Sequence, residues 1–206
     1  MATTKVDSVL LDTTGTASSS TFLRGDGAWA APSGGGWEFV SAQTASSTAN
    51  IDFTGLASGY DYQMYGYGVI PATDATYGEW EYGTSGPTYQ TSGYDWGADG
   101  GYGSGSMSFQ GHAEQNGGEF EFEVRNWGNA AGEFGVFEWT IFNPADSGSF
   151  TYSICQTGHK DNAGTNVVMT SAGWRDTNEA VTALRFHMTS GNIAAGYFKL
   201  FKRANA

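Results

Sequence analysis

The stretch Glu119-Phe120-Glu121-Phe122-Glu123-Val124-Arg125 alternates apolar and charged residues without a break. A period of two belongs to a strand with one face in a core and the other in water. It sets Phe120, Phe122 and Val124 on one side and three carboxylates with Arg125 on the other. The same rhythm, whole or partial, recurs at 37–40, 50–53, 60–67, 107–112, 135–142, 150–156, 167–170, 182–189 and 195–202. Only Asp176 to Leu184 offers a helix, with Asp176 and Glu179 spaced like a capping box. The alternation of Leu184-Arg185-Phe186-His187-Met188 favours a strand there. Nine or ten short strands with no amphipathic crossover helix predict an all-β fold, an antiparallel β-sandwich of jelly-roll-like form.

Composition decides what fills that sandwich. Leu, Ile, Val and Phe together number 33 of 206 residues. That lies below the roughly 20 % associated, at high net charge, with disorder. The net charge of -12 is spread along the whole chain, however, and 7 Trp and 11 Tyr add large buriable surfaces to 13 Phe. The expected core is aromatic. The 31 glycines are expected to serve turns and bulges that need positive φ.

Charge and motifs exclude several classes. Residues 1–150 hold 18 acids and 3 bases, which argues against nucleic acid as a partner. No apolar run approaches the roughly 18 residues of a membrane span, so no membrane insertion is expected. The first residues lack a secretory pattern, Cys155 is the single cysteine, and no N-x-[ST] acceptor occurs. Synthesis in a reducing cytoplasm follows as the expectation.

Two segments differ in kind. Residues 1–36 are rich in Ser, Thr, Gly and Ala and end in the linker-like Ser33-Gly34-Gly35-Gly36. They hold too few apolar residues for a core of their own, so a partner chain is expected to order them. Residues 37–206 are expected to form the sandwich.

Candidate chemistry is sparse. His112, His159 and His187 are the only histidines, and no nucleophile-elbow, phosphate-loop or zincin pattern occurs. His112 with Glu114 supplies two ligands, too few for a metal site, and Cys155 with His159 reads as core packing rather than a nucleophile and base. Same-face carboxylates of Glu119, Glu121 and Glu123 would stand roughly 6.6 Å apart, inside the range of inverting glycosidases. Any acidic strand reproduces that spacing, so the expectation is a solvated face. No catalytic residue, metal or cofactor is expected. The segment 94–103 mixes aromatics, carboxylates and glycines, as a recognition loop would. Tyr94, Asp95, Trp96, Asp99 and Tyr102, with Trp80 and Tyr82 alongside, are therefore the candidate glycan-binding residues. Arg24-Gly25-Asp26 reads as a tight turn rather than as an adhesion tripeptide.

The run from Ala17 to Trp29, ending Phe22-Leu23-Arg24-Gly25-Asp26-Gly27-Ala28-Trp29, resembles a motif of bacteriophage tail fibre and other virion fibre proteins. The stretches Ile51 to Asp61 and Ser190 to Phe201 look like a phage virion module, with Phe201 standing where such modules often carry tyrosine. The resemblance implies a non-enzymatic virion structural protein, made in the host cytoplasm. Residues 1–36 would attach it to other virion proteins through Phe22, Leu23, Arg24, Asp26 and Trp29. A homotrimer and a host-surface glycan are the implied partners. A capsid decoration or head-fibre protein without a host ligand is the alternative, and a glycan-degrading tail enzyme a further one. A tail fibre usually carries a long shaft, and only about 36 residues precede the domain here.

Overall fold

The computed structural model describes residues 14–18, 21–30, 36–103, 108–121 and 125–205. The chain divides into two compact units, Met1–Trp37 and Glu38–Ala206. In the first, β1 (Phe22–Leu23) pairs antiparallel with β2 (Trp29–Ala30). The turn between them is closed by bonds from the Arg24 amide to the Ala28 carbonyl (2.8 Å) and from the Gly27 amide to the Arg24 carbonyl (3.0 Å). The Asp26 carboxylate accepts from the Ala28 amide (3.1 Å), and Gly27 sits at φ 81°, where a side chain is disfavoured. Thr14 bridges Ala28 on the far side.

The second unit is entirely β among its described residues. Its strands are β3 (Glu38–Thr48), β4 (Asn50–Thr54), β5 (Tyr60–Pro71), β6 (Gly78–Thr84), β7 (Thr88–Tyr89) and β8 (Tyr94–Gly103). They continue with β9 (Ser108–Gly117), β10 (Gly135–Phe142), β11 (Tyr152–Lys160), β12 (Asn166–Arg175), β13 (Ala183–Met188) and β14 (Ile193–Ala204). Eight form one antiparallel sheet in the order β3-β14-β5-β10-β11-β12-β8-β9, and four form a second in the order β4-β13-β6-β7. The antiparallel sandwich expected from the alternation is the fold observed.

Between the sheets lies an aromatic core. The largest fully buried side chains include Trp80, Trp127, Trp139, Tyr82, Tyr94, Phe120, Phe186 and Phe198. Tyr82 stacks on Trp139 with centroids 5.6 Å apart, and Trp80 meets Phe137 edge-on at 5.3 Å, joining the two sheets. Several glycines make room for these rings. A Cβ on Gly66 would overlap the Phe137 ring, one on Gly135 the Trp127 ring, and one on Gly173 would stand 2.6 Å from Phe120.

Two local expectations change. Residues 94–103 are a ten-residue strand, not a loop. Of 119–125, only Phe120 pairs, through two 3.0 Å backbone bonds with Trp80, and 122–124 lie outside the described residues. Arg125 is engaged away from the carboxylates it alternates with in sequence. Its guanidinium binds Asp161 (2.8 and 2.6 Å) and covers the Tyr102 ring at 4.3 Å. The strand favoured over a helix at Leu184 to Met188 is the one observed, β13 beginning at Ala183.

Candidate recognition surface

The period of two on β8 separates the residues that composition had grouped. Tyr94 and Trp96 point into the core, where they are 0 % and 3 % exposed, with Trp80 and Tyr82 at 0 %. None of these four rings presents a face to water, so none is placed to stack on a ligand. The Tyr94 hydroxyl instead donates toward the Tyr82 and Gln90 carbonyls and accepts from the Tyr82 amide (2.8 Å). Tyr102 is half-buried beneath Arg125. Asp95 and Asp99 face outward; Asp95 accepts from the Asn116 amide (2.7 Å), while Asp99 is exposed. In the N-terminal unit Phe22, Leu23, Arg24 and Asp26 are exposed around the hairpin, and Trp29 is half-exposed.

The outer face of the eight-stranded sheet carries what the sequence did not single out. Cross-strand pairing aligns Tyr197, Tyr67, Val136, Gly158, Val168, Gly101 and Phe109 in one row, a residue from each of seven strands. Tyr67 is 63 % exposed, Tyr197 60 %, Val168 58 % and Phe109 80 %. Six strand spacings of about 4.8 Å give this apolar track a length of about 29 Å. Two residues along each strand runs a polar row: Lys199, Tyr65, Glu138, Gln156, Thr170 and Asp99. A groove of about 420 Å³ opens where the rows meet, lined by Tyr65, Tyr67, Val136, Glu138, Gln156 and Val168. A second hollow, of about 370 Å³, lies beside Asp99, Ile154 and Thr170.

Hydrogen bonds through Gln63 fix Glu138 and Tyr65 of the polar row. The Gln63 amide donates to Glu138 and to the Thr140 hydroxyl (3.0 Å), and the Tyr65 hydroxyl donates to the Gln63 side-chain oxygen (2.7 Å). Burial, and then the neighbouring Glu138 carboxylate, hold the Tyr65 phenol above its usual range, so it stays a donor.

The outer face of the four-stranded sheet is instead charged. Arg185 of β13 grips Asp52 of β4 with two 2.8 Å bonds and lies 3.7 Å over the Tyr89 ring. Beside it stand Glu79 and Glu81 of β6 and His187, whose Nδ1 is 3.2 Å from Glu79. Burial, aided by Glu119, Glu121 and Glu81, pushes Glu79 up to about 8; burial with Glu114 and Glu119 pushes Glu121 up to about 7. Burial lowers the His187 imidazole. Among the described residues no three of His, Cys, Asp and Glu are arranged to hold a metal ion. Cys155 is fully buried.

No family model, curated protein or solved structure matches the chain.

Proposed function

We propose that the protein is a non-enzymatic virion structural component, a fibre or spike part attached through residues 1–36, whose sandwich reads a host-surface glycan. The observation that carries the recognition is the pair of parallel rows on the eight-stranded sheet. A sugar chain is amphiphilic in the same way: its ring C–H faces are apolar and its edges carry hydroxyls. Tyrosine rings in one row and fixed carboxylate, amide and hydroxyl groups in the next suit both parts of it. An exposed apolar track of this size on a soluble fold marks a contact surface. The fibre assignment rests on the resemblance of residues 17–29, 51–61 and 190–201 to phage virion modules.

Binding without cleavage is favoured by the spacing of acids on this face. Glu138 and Asp99 stand three strands apart, about 14 Å. That exceeds the roughly 6.5–9.5 Å used in inverting hydrolysis. Full-length protein is to be tested against neutral and amino-sugar bacterial polysaccharides, with binding and reducing-end release measured together. Tyr67→Ala and Tyr197→Ala are each expected to weaken binding roughly tenfold, about 1.4 kcal/mol, with no sugar released. Binding indifferent to both substitutions removes the surface from the proposal. Release of reducing ends overturns its non-enzymatic part.

A further inference from the structure

We infer that Gly118–Glu121 is a proton-controlled latch on β6. It stays docked while the carboxyl cluster of Glu79, Glu81, Glu119 and Glu121 is partly protonated, and it leaves Trp80 as that cluster ionises. The attachment is narrow. Two backbone bonds, Trp80 to Phe120 and back, are its ladder. Phe120 fills a fully buried slot among Tyr94 (4.6 Å), Tyr82 (5.1 Å) and Trp139 (6.2 Å). The residues on either side of Phe120, however, are both glutamates.

Every element around the latch adds a titratable group. Glu79 and Glu81 come from β6, Glu114 from β9, Asp52 from β4, Arg185 and His187 from β13, and the phenols of Tyr89 and Tyr94 from β7 and β8. Arg175 of β12 approaches Tyr94 but is engaged by Glu179. Against six carboxyls stand one guanidinium, already held by Asp52, and one imidazole whose pKa burial lowers. The antiparallel Trp80–Phe120 bridge brings the two glutamates that flank Phe120 alongside Glu79 and Glu81, and burial raises the carboxyls of Glu79 and Glu119. Glu81 is 7 % exposed, and its Oε2 has no hydrogen-bond partner, standing 3.6 Å from His187 and 3.8 Å from Arg185. Such an assembly is stable only partly protonated.

The direction follows from linkage. Docking holds these carboxyl pKa values above those of an exposed glutamate, so the docked state binds more protons than the released state. Raising pH therefore favours release, chiefly as Glu121 and then Glu79 ionise at about 7 and about 8. With one linked proton, the opening constant rises about tenfold per pH unit. Release removes Phe120 from its slot and uncovers the β6 backbone at Trp80. The proton itself is the controlling ligand, and the released protons pass to solvent.

Hydrogen exchange on the full chain tests this, with protection factors for 118–121 referenced to β10 and followed from pH 5.5 to 9. Protection of 118–121 in the wild type is expected to fall at least about tenfold between pH 6.5 and 9 while β10 holds. Glu79→Gln with Glu121→Gln keeps the hydrogen-bonding shape without the charge and is expected to remove the fall. Because substitution alone could disturb the fold, wild type is also measured in 1 M salt, where screening is expected to move the midpoint upward. Constant protection to pH 9, or a fall unchanged by both the glutamines and the salt, overturns the latch.

Discussion

A glycine inside a strand costs conformational entropy and contributes no side chain, so its presence needs a local reason. At Gly66 the reason is the Phe137 ring, which lies where a Cβ would stand. Gly97 on the outer face differs, since its nearest neighbours to a Cβ would be 3.7 and 3.9 Å away. Gly66→Ala is therefore expected to lower unfolding free energy by about 1–3 kcal/mol through overpacking. Gly97→Ala should stay within about 0.5 kcal/mol. Denaturant titration separates them, and equal effects would mean that the Phe137 ring does not govern Gly66. The sequence reading gave glycine to turns, and positions such as Gly27 and Gly59, at φ 81°, fit it. It did not reach Gly66, because the ring that requires this glycine lies seventy-one residues further along the chain. For the same reason Tyr94 and Trp96 read as surface: an aromatic suits a core and a binding site equally, and only burial tells them apart.

Elements were legible where alternation met ordinary strand composition. β14 shows it plainly, with buried Phe198 between exposed Tyr197 and Lys199, and β5 and β10 place Met64 and Trp139 in the core. β8 was hidden because four of its ten residues are glycine, a type depleted in strands. Its pairing with β12 tolerates nothing larger at Gly100, where a Cβ would strike the Val168 carbonyl. The paired rows on the outer face of the eight-stranded sheet were hidden for a different reason. Tyr67 meets Tyr197 and Val136 only through strand register, a property of pairing and not of any single segment. Between elements, Arg185 fastens β13 to β4 with a two-pronged bond and covers Tyr89 of β7. A lysine keeps the charge but loses the planar fork and the stacking. Arg185→Lys is expected to cost about 1–2 kcal/mol, a range typical of a hydrogen bond to a charged group at a half-exposed site. Arg185→Lys with Asp52→Asn should cost little more than either change alone. Fully additive losses in that double-mutant cycle would place the stabilisation elsewhere.

At the scale of the whole chain the two units have opposite means of support. Residues 38–206 hold an aromatic core closed between two sheets, which is enough for independent folding. The β1–β2 hairpin has two residues in each strand and leaves Phe22 47 % and Leu23 38 % exposed. A two-stranded ribbon of that size is not stable alone in water. Its apolar side chains gain burial only from another surface, and the binding energy there offsets the cost of ordering the segment. Val9, Leu10 and Leu11, which would add to such a contact, lie outside the described residues. Deleting residues 1–30 is thus expected to leave the melting transition of the sandwich within a few degrees of the intact chain and, on the virion role proposed above, to abolish incorporation into particles. Calorimetry of the truncated protein and its copy number on purified virions measure the two effects separately. Truncated protein present at normal copy number would show that attachment runs through the sandwich, and a lost melting transition would show that the N-terminal unit supports the fold. Phe22→Ser with Trp29→Ser in the intact chain narrows the cause: loss of incorporation with unchanged melting assigns attachment to the apolar side chains of this hairpin.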